Sequence, residues 1–231
     1  MLRVETADVI NTLVNGEIVV TNIRKVYVNN VLNLVEYRNQ EGKLHRDCNS
    51  PGGDGPAKTQ YYKTGCIHYE VWYTDGKLHR EGDLPASIYY DYNGNIESKI
   101  WYINGNEHRD GDLPSVIYYD PKNGNFVSIE KWYKKGMLHR EGDLPSYIVY
   151  FQGSTTIKRE VWHKDDMRHR DPKNGPAKIE YDMEGSIIKM VYYVDGTKYH
   201  NSKFNKLIIK LHSLSDEEYQ KYTDLLDLLK K

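Results

Sequence analysis

The chain has 231 residues, 39% of them hydrophobic, and a formal net charge of −1 because 32 basic residues balance 33 acidic ones. A charge this close to zero gives no overall basic field, which argues against nucleic acid as a partner. Two cysteines are too few for a secreted disulfide framework, no signal peptide opens the chain, and no apolar stretch approaches the roughly 20 residues of a membrane span. We therefore expect a soluble, intracellular protein.

The first 34 residues precede the clear repeats, and we assign them to an N-terminal cap. Apolar residues from Val9 to Val14 fall at helical spacing, and Asn15-Gly16 would then end the helix. The same Asn-Gly pair is typical of a tight hairpin turn, so helix and hairpin both stay open here. Residues 17–28 have the pattern of a strand, and Asn29-Asn30 is a turn into a further strand over residues 31–37.

Residues 35–200 repeat one unit, which is clearest from Trp72 to Pro85 (WYTDGKLHREGDLP). Successive His-Arg pairs are 34, 29, 31 and 30 residues apart, a spacing that indicates stacked units sharing one continuous core. The recurring residues are Trp72, Trp101, Trp132 and Trp162; His45-Arg46, His79-Arg80, His108-Arg109, His139-Arg140 and His169-Arg170; and Tyr61, Tyr90, Tyr119, Tyr150 and Tyr181.

Each repeat continues after its proline with alternating residues, which predicts a strand. One face carries a small, a β-branched and an aromatic residue, such as Ala86, Ile88 and Tyr90, and we call it the repeated face. The other, the variable face, carries Lys58, Ser87, Val116, Tyr147 or Lys178 in successive copies. We expect the repeated face to be buried and the variable face to meet solvent or a partner.

A second strand carries each tryptophan and ends in a turn such as Asp75-Gly76 or Asn104-Gly105. In the fourth copy, Asp165-Asp166 replaces the glycine of this turn. Because Asp tolerates a positive φ only at some cost, we expect a looser or longer turn there.

The last 31 residues, 201–231, read as a C-terminal cap. Ser215 and Glu218 form a capping box that begins a helix. One apolar stripe follows at helical spacing, formed by Tyr222, Leu225, Leu226 and Leu229. We expect this amphipathic helix either to cover the last repeat or to mediate dimerisation.

The motif Trp-x-x-x-Gly-Lys-x-His, followed by Gly-x-x-x-Pro and Tyr-x-x-x-Gly, resembles the repeats of the MORN superfamily over roughly residues 35–200. The stretch from Trp72 to Pro85 is similar to the expanded arrays of large DNA viruses that infect amoebae. The unit here is longer than the common MORN unit and has Arg after the His. The resemblance implies successive antiparallel hairpins in a protein scaffold that dimerises, with phospholipid binding and antitoxin-like immunity proteins among its relatives.

Nine histidines and many carboxylates could suggest a metal or catalytic site, but their spacing argues against both. Equivalent positions in neighbouring repeats lie about 9–10 Å apart, whereas zinc ligands lie about 2.0–2.3 Å from one ion. No Ser or Cys recurs beside the His as a nucleophile. We therefore expect no catalytic, metal or cofactor-binding residues, and we interpret the recurring residues as structural anchors, with Arg80 paired to Glu81 or Asp83 and Arg109 to Asp110 or Asp112.

Together these patterns predict an all-β protein: an elongated single-layer antiparallel sheet of about five hairpin repeats, with a C-terminal helix. A poorly covered sheet face favours a homodimer. The predicted function is a non-catalytic scaffold for protein–protein interaction, in the host cytoplasm or the virion if the protein is viral. The alternatives are a peripheral module for anionic phospholipid, favoured by the Lys-rich residues 158–210, and an antitoxin-like immunity or regulatory binding protein.

Overall fold

The computed structural model describes residues 1–12, 18–46, 54–124 and 126–199, and every element in these ranges is a β-strand. In chain order they are β1 Leu2–Thr12, β2 Ile18–Val28, β3 Val31–Arg38, β4 Lys58–Tyr61, β5 Ile67–Val71, β6 Tyr73–Thr74, β7 Lys77–Leu78, β8 Ser87–Tyr90, β9 Ile96–Ile100, β10 Tyr102–Ile103, β11 Asn106–Glu107, β12 Val116–Tyr119, β13 Val127–Lys131, β14 Tyr133–Lys134, β15 Met137–Leu138, β16 Tyr147–Tyr150, β17 Ile157–Val161, β18 His163–Lys164, β19 Met167–Arg168, β20 Lys178–Tyr181, β21 Ile187–Val194 and β22 Thr197–Tyr199. No helix capable of crossing a membrane occurs in the described ranges.

Fourteen of these strands form one antiparallel sheet, in the order β1-β2-β3-β4-β5-β8-β9-β12-β13-β16-β17-β20-β21-β22. Five consecutive hairpins make up its repeated part, namely β4-β5, β8-β9, β12-β13, β16-β17 and β20-β21. The predicted all-β fold with about five hairpin repeats is confirmed.

The N-terminal region is a hairpin and not a helix. β1 pairs with β2 from Leu2 opposite Val28 to Thr12 opposite Ile18. The predicted turn follows at Asn29 and Asn30, whose φ angles are 51° and 65°. Asn tolerates this left-handed conformation better than most residues, so the chain reverses here into β3.

Each tryptophan lies where the chain leaves the main sheet for a short hairpin of two-residue strands. The Trp72 N–H donates to the Ala86 carbonyl of the next repeat (2.8 Å), and the Trp72 carbonyl accepts from the His79 N–H (3.2 Å). The same two bonds recur at Trp101, Trp132 and Trp162. Each short hairpin, such as β6-β7, is therefore closed onto its own repeat and joined to the next one beside the main sheet.

Both faces of the main sheet contain buried residues. On the repeated face Ala86 is fully buried, but on the variable face Ser87 and Val116 are only 3% and 2% exposed. The expectation that the variable face meets solvent or a partner is therefore wrong at these positions. The short hairpins cover this face, since Tyr133 and Leu138 of β14-β15 line one cavity together with the variable-face residue Tyr147.

Two predictions fall outside the residues that the structure describes. The first is the C-terminal cap over residues 201–231, with its helix and the stripe Tyr222, Leu225, Leu226 and Leu229. The second is the assignment of Asn15-Gly16 to a helix end or a hairpin turn, since residues 13–17 lie outside the described ranges.

Candidate functional site

The recurring Trp and Arg side chains meet where one repeat joins the next, in a group that we call the junction. The Arg80 guanidinium stacks 3.9 Å from the Trp72 ring centre. Its Nε and Nη2 lie 3.0 and 2.9 Å from Asp54 Oδ2, and its Nη1 donates to the Pro85 carbonyl (3.4 Å). The indole Nε1–H of Trp72 donates to the Asp54 carbonyl (3.2 Å). Asp54 precedes this repeat in the chain, so the junction joins two consecutive repeats.

The same junction is built three more times along the array. The Arg–Asp pairs are Arg109–Asp83, Arg140–Asp112 and Arg170–Asp143, and the stacked tryptophans are Trp101, Trp132 and Trp162. The predicted pairing of Arg80 with Glu81 or Asp83, and of Arg109 with Asp110 or Asp112, is therefore wrong. The reason is that the indole of each repeat hydrogen-bonds to the preceding loop and holds its Asp beside the stacked guanidinium.

These ion pairs perturb the Asp carboxyls. A hydrogen bond from Arg109 holds the pKa of Asp83 below its usual value, and Arg140 lowers the pKa of Asp112 in the same way. At the first repeat Tyr37 takes the tryptophan position, and Arg46 lies 4.3 Å from its ring centre. The charges of Arg80, Arg109, Arg140 and Arg170 are thus directed at carboxylates of the chain itself.

Each recurring histidine connects two repeats through its ring. His79 Nδ1 accepts from the Asn104 N–H in the next short hairpin (3.4 Å), so the neutral ring carries its proton on Nε2, 2.8 Å from Glu81 Oε1. The histidines His45, His108, His139 and His169 accept in the same way from the N–H groups of Asp75, Lys135, Asp165 and Asp195. A nitrogen held by a backbone N–H is not free to act as a general base.

The recurring tyrosines on the repeated face donate to glutamates of the adjacent strand. The hydroxyls of Tyr90, Tyr150 and Tyr181 lie 2.7, 2.7 and 2.5 Å from Glu70, Glu130 and Glu160. In the second repeat Lys99 replaces the glutamate, and its Nζ lies 5.5 Å from the Tyr119 ring centre. Burial and the neighbouring Glu70 raise the pKa of Tyr90, so its hydroxyl stays protonated at neutral pH.

The fourth short hairpin keeps a two-residue turn despite its missing glycine. Asp165 and Asp166 have φ angles of 50° and 67°, and Lys164 is paired with Met167. Asp166 Oδ1 accepts from the Leu138 N–H of the preceding hairpin (2.7 Å). The expected looser or longer turn is therefore wrong, since the carboxylate gains a bond that offsets the cost of the left-handed conformation.

Among the described residues, no group of three or more His, Cys, Asp or Glu side chains could hold a metal ion. Cys66 is exposed. What sequence reasoning missed is a set of cations on the variable face, Lys131, Arg159, Arg168 and Lys178, which line one cavity. These four residues take different positions in different repeats, so the repeat pattern does not show them. Aligning the repeats and looking for positions where a cation replaces an uncharged residue would have found them.

The chain matches no family model, no curated protein and no solved structure.

Proposed function

We propose that this protein is a non-catalytic repeat scaffold that binds a protein partner and self-associates. The observation that supports this proposal is the junction, where the recurring Trp, Arg and Asp side chains are occupied by contacts between consecutive repeats. Identical junctions give neighbouring repeats one geometry and leave the non-recurring positions to differ. Repeat proteins use such extended surfaces for binding.

We propose that the repeats are of the MORN type, in the expanded form found in large DNA viruses of amoebae, and that the protein works inside the cell or in the virion. Two features support this proposal. The residues from Trp72 to His79 match the motif Trp-x-x-x-Gly-Lys-x-His, and the repeats fold as successive antiparallel hairpins.

An aromatic cluster at the first two repeats is the surface that we assign to the protein partner. The Tyr62 ring lies 3.9 Å from the Tyr92 ring and 4.3 Å from the His68 ring, and Tyr92 is 68% exposed. Tyr is enriched in protein interfaces because it offers a large apolar area and a polar tip. The cluster is not repeated, since the Tyr62 position is taken elsewhere by Asp91, Asp120, Phe151 and Asp182.

Affinity capture from the native cell, followed by mass spectrometry, tests this assignment. The bait is the wild-type chain, a Tyr62→Ser/Tyr92→Ser double variant, or the control Met183→Ser, which alters an exposed apolar residue at the Tyr92 position of the last repeat. We expect a common set of proteins with the wild type and the control, and loss of that set with the double variant. Identical capture by all three baits would contradict the assignment.

The edge at the last repeat supports the proposal of self-association. Ile187, Ile188 and Met190 of β21 are more than half exposed, and in the described part of the chain this segment pairs only with β20. Exposed apolar edge strands pair readily with another chain. Light scattering at high micromolar concentration should therefore give the mass of a dimer, and a monomer would overturn the proposal.

Deleting residues 213–231 separates the two roles of the predicted helix. A lower Tm with unchanged mass indicates a cap on the last repeat, whereas loss of the dimer with unchanged Tm indicates a dimerisation helix. No change in either quantity would contradict both roles.

A further inference from the structure

On the variable face of the last three repeats, several cations surround one cavity. Lys131 and Arg159 lie on β13 and β17, and Arg168 lies in the short hairpin β18-β19. In the first two repeats the Lys131 position is taken by Val71 and Ile100, the Arg159 position by Tyr69 and Ser98, and the Arg168 position by Leu78 and Glu107. A structural role shared by all repeats would recur, so these charges need a separate explanation.

The strand register brings these side chains to one place. Lys131 is opposite Tyr147, Tyr147 is opposite Val161, and Val161 is opposite Lys178, so the two lysines flank Tyr147 and Val161 on the same face. Arg159 lies two residues before Val161 on that face. These five residues line a half-open cavity of about 260 Å³. The short hairpins β14-β15 and β18-β19 also contribute to its lining, with Tyr133, Leu138, His163 and Arg168.

The positive charge of the cavity exceeds the negative charge that faces it. Glu180 is shared between Lys178 (Nζ to Oε1 2.7 Å) and Arg159 (Nε to Oε1 3.3 Å), and Lys189 lies 4.0 Å away. Despite the ion pair, the buried Nε of Arg159 makes no hydrogen bond with any described residue. Lys131 makes no ion pair within 4 Å in the described ranges, and its Nζ lies 5.3 Å from the Tyr118 ring centre. It has a longer-range carboxylate interaction with Glu107: burial raises the pKa of Glu107, and attraction to Lys131 opposes that rise.

Lys58, which takes the Lys178 position in the first repeat, is a useful contrast. It lies 3.8 Å from Glu36, a buried carboxylate that also pairs with Arg24 and Arg38. Near the first repeat, Lys58, Arg24 and Arg38 therefore surround the carboxylate of Glu36. At the other end, the centre between Lys131, Arg159 and Lys178 is a cavity.

His163 lines this cavity and is itself partly buried. Burial and the neighbouring Arg168 lower the pKa of His163 to about 4, so the ring is neutral at neutral pH. Its Nδ1 lies 3.0 Å from Ser146 Oγ. Half-buried cations without enough opposite charge cost free energy, and an anion entering the cavity would remove that cost.

We propose that this cavity binds the phosphate group of a small phosphorylated ligand. A phosphate monoester is close to a dianion at neutral pH, so it would neutralise more of this positive charge than a ligand with a single carboxylate. The Arg159 guanidinium supplies directed donors, and the two lysines supply point charges. Tyr147 and Val161 form an apolar floor for a small substituent on the phosphate.

Isothermal titration of the full chain at low salt, with inorganic phosphate and with phenyl phosphate, tests the proposal. The array itself supplies the variants: Arg159→Ile copies Ile129 of the third repeat, and Lys131→Ile copies Ile100 of the second. Each variant should bind phosphate about tenfold more weakly, as expected for a lost charge-assisted hydrogen bond or charge contact. The control Lys99→Gln removes a lysine from the opposite face and should leave the affinity unchanged.

The Tm of each variant guards against unfolding as the cause. Without phosphate, Arg159→Ile and Lys131→Ile should melt close to the wild-type temperature, because each variant loses repulsion from neighbouring cations along with its attraction to Glu180 or Glu107. Phosphate should raise the Tm of the wild type and of Lys99→Gln more than that of either variant. No binding of either probe to the wild type, or an equal loss in Lys99→Gln, would overturn the proposal. Binding to phosphatidylcholine vesicles containing phosphatidylserine, without binding of either soluble probe, would overturn it too, since the site would then be a membrane surface.

Discussion

The junctions and the variable face use the same sheet in opposite ways. At four consecutive junctions an Arg stacks on a Trp and pairs with an Asp of the preceding loop. The distance from the guanidinium to the Trp ring centre is almost the same each time. On the variable face the equivalent positions change from Tyr69 to Ser98, Ile129 and Arg159. The residues that recur in every repeat join the repeats to one another. The residues that differ between repeats give each part of the surface its own charge and shape, which a ligand or partner can recognise.

The largest effect should come from removing a junction tryptophan. Trp132 is buried in the middle of the array, and Trp132→Ala should lower the free energy of unfolding by about 3–5 kcal/mol, as expected for a lost aromatic core residue. Urea unfolding measures this change. The control Met183→Ala shortens an exposed apolar side chain and should cost less than about 0.5 kcal/mol. Equal losses of unfolding free energy in the two variants would contradict the stabilising role of the junction.

A smaller effect should follow the loss of one hydroxyl on the repeated face. Tyr150→Phe removes the hydrogen bond to Glu130 and should cost about 1 kcal/mol at pH 7. Tyr119→Phe is the matched control, because Tyr119 faces Lys99 and its hydroxyl makes no hydrogen bond with the described residues, so it should cost much less. The measurement is again urea unfolding, and equal costs would contradict the role assigned to the glutamate.

Alkaline pH sharpens this test. Burial, followed by the hydrogen bond to Glu130, raises the pKa of Tyr150 above that of an unfolded tyrosine. The unfolded chain therefore loses this proton first, so the stability is fully present below about pH 10 and is lost as the pH rises towards the folded-state value. Tyr150→Phe should flatten this decline, and an unchanged slope above pH 10 would contradict the account.

The smallest effect should come from the turn of the fourth repeat. Asp166→Gly relieves the left-handed conformation of a non-glycine residue but removes the carboxylate bond to the Leu138 N–H. These contributions have opposite signs, so we expect a change within about 0.5 kcal/mol. A Tm series over Asp166→Gly and Asp166→Asn measures it. A large stabilisation by Gly would show that the bond to Leu138 contributes little.

Much of the fold could be predicted because the repeat itself carries the information. Alternation after each proline predicts the strands, and the turn at Asn29-Asn30 was predicted from its residue types. The N-terminal choice between helix and hairpin could not be made, since Val and Ile from Val9 to Val14 suit both periods. Pairing of β1 with β2 decides it, and pairing is a tertiary contact that no local pattern contains.

The partners of the junction residues could not be predicted, because sequence neighbours are poor guides across a repeat boundary. Asp112 is three residues from Arg109 in the chain, yet the guanidinium contacts Asp83, which is 26 residues away. The burial of the variable face was missed for a similar reason. Its cover comes from short hairpins outside the main sheet, which strand periodicity does not reveal.

A double-mutant cycle on Arg109 and Asp83 tests most directly whether the recurring residues join one repeat to the next. With Arg109→Gln and Asp83→Asn, the account predicts a coupling energy of about 1–2 kcal/mol at pH 7, allowing for the exposure of Asp83. Because Arg109 lowers the pKa of Asp83, this coupling should persist above the usual carboxyl pKa and disappear as the pH falls through the lowered value. The parallel cycle of Arg109 with Asp112→Asn should give no coupling. Coupling to Asp112 instead of Asp83, or to neither, would contradict the account.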